Sequence, residues 1–113
     1  MKLKGGVVMQ PLHDTTYAAA TAAGDCVIEF KMDFCAPCRT MSALLTQLAP
    51  QYPKLSFYCL TVNQEPQIAQ LLGVTQAPTL LFKRQGKIVG ALVGPQTRTQ
   101  LQQQFAHYFG DSK

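Results

Sequence analysis

The stretch Val27-Ile28-Glu29-Phe30-Lys31-Met32-Asp33-Phe34-Cys35-Ala36-Pro37-Cys38 decides how this chain folds. It begins as an apolar, strand-like run carrying one acid. It ends in two thiols three positions apart, at the head of a helix-like run in which Met41, Leu44, Leu45 and Leu48 recur at i, i+3, i+4 and i+7. That placement puts Cys35 at a helix N-terminus, where unpaired backbone N–H groups and the helix dipole stabilise a thiolate, the reactive form of cysteine. A second thiol close enough to close a small ring can release any mixed disulfide that the first one makes. The stretch therefore points to thiol–disulfide exchange.

Working outward, strand-like and helix-like segments alternate as they do in α/β domains. Val7 to Leu12 reads as a weak first strand. Asp14 is placed to N-cap a short Ala-rich helix from Thr15 to Ala23, stopped by Gly24. Cys26 to Met32 reads as a strand buried on both faces, because its apolar run is nearly continuous. Pro50 and Pro53 close the helix that follows the thiols, and Leu55 to Val62 is a third strand. Pro66 opens a short helix that Gly73 ends. Thr79–Lys83 and Ile88–Val93 form a hairpin in which Gly86 supplies a left-handed turn residue. Thr97-Arg98-Thr99-Gln100 is a capping box opening a last helix, with Leu101, Phe105, Tyr108 and Phe109 on one face and Gly110 as its stop. The order β-α-β-α-β-α-β-β-α requires crossover helices between parallel strands first and an antiparallel hairpin later. The expected architecture is one domain over residues 1–113, a mixed five-stranded sheet with helices on both faces.

Composition excludes several classes. With 113 residues, 47% hydrophobic and 14% charged, the chain is globular rather than disordered and large enough to bury a core without disulfide staples. Cys26, Cys35, Cys38 and Cys59 show no regular framework. The basic start Met1-Lys2-Leu3-Lys4 is followed by too short an apolar piece for an export signal, and no run approaches the roughly 18 apolar residues of a membrane span. The expectation is a cytoplasmic protein with no membrane attachment. Net charge is +4, but the basic residues are scattered, and the one local group, Lys83-Arg84-Gln85-Gly86-Lys87, reads as a solvated hairpin tip rather than a nucleic-acid surface. A zinc site is the alternative use of the thiol pair. Zinc wants four ligands, however, while Cys26 and Cys59 stand alone and His13 and His107 lie near opposite chain ends with no visible partner.

The chain resembles the thioredoxin family over about residues 7–109. The resemblance is carried by Phe34-Cys35-Ala36-Pro37-Cys38-Arg39, the Val27–Phe30 strand, Gln76-Ala77-Pro78-Thr79-Leu80-Leu81-Phe82 and Val93-Gly94-Pro95. It implies the thioredoxin fold and the reduction of protein disulfides, with Cys35 as nucleophile and Cys38, one turn into the helix, as the resolving thiol. Glu29 is the one acid in a buried strand. Desolvation raises its pKa, so that it can take the Cys38 proton at neutral pH, and the resemblance places an acid here too, usually the shorter Asp. The resemblance also implies a cis Ala77–Pro78 bond facing Cys35, and a flat apolar substrate rim of Phe34, Ala36, Pro37, Ala77, Gly94 and Pro95, for which ordinary packing is the competing reading. It implies a monomer with no bound cofactor or metal, the Cys35–Cys38 disulfide being the redox group. Its partners would be disulfide-containing proteins and an NADPH-dependent, flavin-containing thioredoxin reductase. The chain itself has no GxGxxG to hold a nucleotide.

Several residues depart from the family pattern. Phe34 stands where a Trp is usual, Ala36 where Gly is usual, and Cys59 where a Lys often partners the buried acid. Cys26 and Cys59 read first as small buried hydrophobes, with disulfide exchange between Cys59 and Cys38 as the sharper alternative. Three other functions stay open: a thiol oxidant or isomerase, a glutaredoxin, and a binding module or chaperone-like subunit in which the thiols are incidental.

Overall fold

The computed structural model describes residues 9–110. The basic N-terminal residues and Val7 and Val8 of the expected first strand lie outside them. The elements are β1 (Met9–Pro11), α1 (Tyr17–Ala20), β2 (Asp25–Lys31), α2 (Ala36–Leu48), β3 (Leu55–Thr61), α3 (Pro66–Leu72), β4 (Thr79–Arg84), β5 (Lys87–Val93) and α4 (Arg98–Phe109). The strands form one sheet in the order β1-β3-β2-β4-β5. The pairs β1/β3 and β2/β3 are parallel, and the pairs β2/β4 and β4/β5 are antiparallel. This is the mixed five-stranded sheet that the element order requires.

Burial on both faces explains the near-continuous apolar run of β2. Val27 packs into the core under α2 and α4, with Met41, Leu45, Leu48, Leu101, Phe105 and Phe109. Ile28 and Phe30 point the other way, into the core with Tyr17, Leu60 and Ala69. Phe105, fully buried, packs edge-on against Tyr52, Phe57 and Phe82. The Thr97 capping box forms as expected: Thr97 Oγ1 accepts from the Gln100 N–H at 3.1 Å and Gln100 Oε1 accepts from the Thr97 N–H at 2.8 Å.

Three expectations change. The Ala-rich helix is a single turn, and Asp14 does not cap it. The Asp14 carboxylate accepts instead from the Gln67 and Ile68 N–H groups at 3.1 and 2.9 Å and so caps α3. Thr15, Thr16 and Thr21 flank the alanines, and β-branched residues favour helix less than Ala does, so α1 stays short. His13 has a partner after all: its Nδ1 lies 3.0 Å from Glu65 Oε2. Lys83 is not a solvated tip residue. It is 7% exposed, donates from Nζ to Thr21 Oγ1 at 2.7 Å and sits over the Tyr17 ring. A lysine at the end of a strand reaches back over the sheet face when a hydroxyl and an aromatic ring receive it.

Phe105→Ala removes the ring on which three aromatic contacts converge. It is expected to lower unfolding stability by about 3–5 kcal/mol, as read from the urea midpoint at unchanged slope.

Candidate active site

The site lies where β2 runs out. Residues 32–34 carry the chain from the end of β2 to Cys35, the N-cap of α2. Hydrogen bonds from the β3–α3 loop hold this connection. The Asp33 N–H donates to Asn63 Oδ1 at 3.0 Å, and Asn63 Nδ2 and Gln64 Nε2 donate to Asp33 Oδ2 at 2.8 and 2.9 Å. These bonds pull the Asp33 carboxyl below its ordinary pKa. Phe34, at φ 60°, makes the turn into the helix with its side chain fully exposed.

Cys35 and Cys38 form a disulfide with Cα atoms 5.2 Å apart. Cys35 Sγ accepts the Cys38 N–H at 3.2 Å, so the sulfur occupies the position of a capping side chain at the positive end of α2. The two sulfurs differ in access: Cys35 is half-buried and Cys38 is 1% exposed. Glu29 sits in β2, in register with Cys59 on β3 and Leu80 on β4, at 0% exposure. Ser42 Oγ of α2 donates to Glu29 Oε1 at 2.6 Å, while Oε2 has no hydrogen-bond partner. Burial pushes the Glu29 carboxyl above its ordinary range, partly opposed by the Ser42 hydrogen bond and the Lys31 ammonium. Cys59 and Cys26 are free and buried. Burial raises the pKa of both thiols, Cys26 to about 11, which disfavours the thiolate form.

A cleft of about 330 Å³ opens beside the disulfide, lined by Lys31, Met32, Asp33, Phe34, Cys35, Cys38, Arg39, Ser42 and Thr61. A neighbouring groove of about 230 Å³ shares Met32 and adds Val62, Val74, Thr75, Gln76 and Ala77. The Ala77–Pro78 bond is cis, Pro78 is buried, and its carbonyl accepts the Gly94 N–H at 2.8 Å. Of the expected rim, Phe34 lines the cleft and Ala77 the groove, whereas Ala36, Pro37, Gly94 and Pro95 line neither. Sequence reasoning missed Lys31, Met32, Asp33, Ser42 and Thr61. The spacing of Ser42, one turn beyond Cys38 on the same helix, was the available signal. Asn63 and Gln64 reach the site from a loop 30 residues away, and nothing local marks them. Among the described residues no group of three or more His, Cys, Asp or Glu is placed to hold a metal.

A cysteine pair at a helix N-terminus, joined as a disulfide above a buried acid on a mixed sheet, defines a protein that exchanges disulfides through its own thiols. Comparison with known proteins agrees. The Thioredoxin family profile matches residues 8–107. The chain is 34% identical over 90 residues to Thioredoxin-2 of Saccharomyces cerevisiae, covering 78% of this chain and 86% of that one. It is 29% identical over 87 residues to a thioredoxin of Chlamydia muridarum, covering 77% and 85%. Among solved structures, the oxidised mitochondrial thioredoxin 3 of S. cerevisiae superimposes with a TM-score of 0.81 at 26% identity, over 92% of this chain and 99% of that one. The chain belongs to the thioredoxin family. It has the thioredoxin fold and is a dithiol–disulfide redox protein, a protein-disulfide oxidoreductase whose redox group is its own cysteine pair.

The raised Glu29 carboxyl sets the sign of a pH effect. Folded Glu29 keeps its proton to higher pH than an unfolded glutamate, so stability falls as pH rises from the ordinary carboxyl range through the raised folded value. Glu29→Leu is therefore expected to stabilise the protein at about pH 8, by about 1–3 kcal/mol. The gain should shrink toward about pH 5, as measured by urea unfolding at both pH values.

Proposed function

We propose that the protein is a monomeric thioredoxin that reduces protein disulfides, one domain over residues 1–113, with Cys35 as nucleophile, Cys38 as resolving thiol and Glu29 as proton acceptor. The observation that carries this reading is the asymmetry of the pair: Cys35 is the accessible sulfur at the helix end, and Cys38 is the buried one on the Glu29 side of α2. In the reduced protein the Cys35 thiolate attacks a substrate sulfur. A Cys35–substrate bond forms, and the other substrate sulfur leaves with its electron pair and takes a proton from water. Cys38 then gives its proton to Glu29 and attacks Cys35 Sγ. The Cys35–Cys38 bond forms, the mixed disulfide breaks, and the second substrate sulfur leaves as a thiolate. Two electrons have passed to the substrate. Glu29 suits this step because burial raises its proton affinity above that of an ordinary carboxyl.

Substrates are disulfide-containing proteins. The exposed Phe34 and the Met32–Ala77 groove offer apolar contact beside Cys35 to an extended segment, and the cis Pro78, just before β4, is proposed to face Cys35. Phe34, Ala36, Pro37, Ala77, Gly94 and Pro95 remain the proposed contact rim, with the cleft residues added to it. The electron source is proposed to be an NADPH-dependent flavoprotein thioredoxin reductase, and the compartment the cytoplasm. The described residues include no helix long and apolar enough to cross a membrane.

In a coupled assay with thioredoxin reductase, NADPH and insulin, Cys35→Ser is expected to abolish turnover, and Cys38→Ser to accumulate a mixed disulfide visible by mass. Absence of any reversible Cys35/Cys38 couple moves the function to a binding module, which keeps its role in Cys35→Ser. A Cys35/Cys38 couple near about −270 mV supports a reductase, and one above about −200 mV points to oxidation or isomerisation.

A further inference from the structure

A buried acid that takes a proton in every cycle must also return it to water. Glu29 is sealed at 0% exposure between β3 and β4 and beneath α2, so it cannot do this directly. Among the described residues, one hydrogen bond reaches its carboxyl, from Ser42 Oγ to Oε1 at 2.6 Å, and Oε2 is left without a partner. Ser42 is itself half-buried and lines the open cleft together with Cys35 and Cys38. Cys38 and Ser42 are four positions apart on α2 and share a helix face. The hydroxyl therefore bridges the sealed carboxyl and the solvent beside the reacting sulfurs.

We propose that Ser42 is a positioning residue of disulfide exchange: its hydroxyl orients the Glu29 carboxyl with Oε2 free for the thiol proton, and it links that carboxyl to water in the cleft. The proposal rests on the reading of Glu29 as the proton acceptor. A serine hydroxyl has one proton to donate and lone pairs to accept with. While Glu29 is ionised, that proton lies on Oε1 and stabilises the anion. The Cys38 proton goes to Oε2 as the Cys38 sulfur attacks Cys35. The terminal torsion of a glutamate is broad and roughly two-fold, so a half-turn presents the new O–H to Ser42 Oγ. Ser42 accepts that proton and passes its own to a cleft water, which restores the carboxylate.

The other groups around Glu29 do not take over this task. Lys31, two residues along the same strand, contributes charge but makes no hydrogen bond to the carboxyl. Cys59 from β3 is a buried thiol with a raised pKa, and Leu80 from β4 has no ionisable group. Arg39 and Asp33 line the cleft, and Asn63 and Gln64 occupy the Asp33 carboxylate. The family's usual Lys opposite the acid is Cys59 here, which leaves the α2 hydroxyl as the polar partner of Glu29.

The test uses the reduced full chain and an aromatic disulfide that releases a coloured thiolate twice: once when Cys35 attacks, and again when Cys38 resolves the mixed disulfide. The pH dependence of the second release reports the proton acceptor. Ser42→Ala, which favours helix and removes only the hydroxyl, is expected to move the midpoint of the second release upward by about one pH unit. Ser42→Thr is expected to restore it. In a Glu29→Gln background, Ser42→Ala is expected to add nothing. An unmoved midpoint in Ser42→Ala, or no rescue by threonine, overturns the role of Ser42. If Glu29→Gln itself leaves the second release untouched, the reading of Glu29 fails and Ser42 falls with it.

Discussion

The site is organised around a carboxyl held in a sheet with no solvent around it. Strand β2 is paired on both edges and covered on both faces, so Glu29 is surrounded before any active-site chemistry is considered. A group in that position costs free energy whenever it is charged. The fold meets part of that cost through one hydroxyl on α2 and leaves one oxygen unsatisfied. Buried polar atoms without partners are uncommon in folded proteins. Here the unsatisfied oxygen belongs to the carboxyl proposed as the proton acceptor of the exchange.

The same strand delivers the sulfurs. From Lys31 the chain has three residues in which to turn and start a helix. Asn63 and Gln64 fix that turn through hydrogen bonds to the Asp33 N–H and Oδ2, and α2 then begins with Cys35 as its cap. The helix end therefore does two jobs with one set of backbone donors. It offers an N–H to the Cys35 sulfur, and it places Cys38 and Ser42 on successive turns of one face, above Glu29. The chemistry of the site follows from the difference in access between the two sulfurs, which the helix geometry imposes.

Charge is arranged economically around this axis. In the described residues Lys83 is withdrawn under α1, and Asp14 and Glu65 tie the first connection to the start of α3. Lys31 and Arg39 remain beside the disulfide, at the cleft.

The sequence by itself determined the element order, the sheet class and the thiol pair. These depend on short-range physics: apolar periodicity, the i to i+3 reach of a capping box, glycine at positive φ, and two cysteines one helical turn apart. The Thr97–Gln100 box and the two-faced burial of β2 were legible for that reason. Only the tertiary structure decided which distant groups meet. Asp14 caps α3, across 53 residues, rather than the helix beside it. His13 finds Glu65, Lys83 finds Thr21, and Ser42 becomes the one hydrogen-bond partner of Glu29 among the described residues. A polar side chain takes the donor or acceptor that folding brings near it, and that choice is settled by the packing of whole elements. The sequence pattern showed where a buried acid and two thiols would lie. The packing of α2 against β2 decided that Ser42 meets the acid.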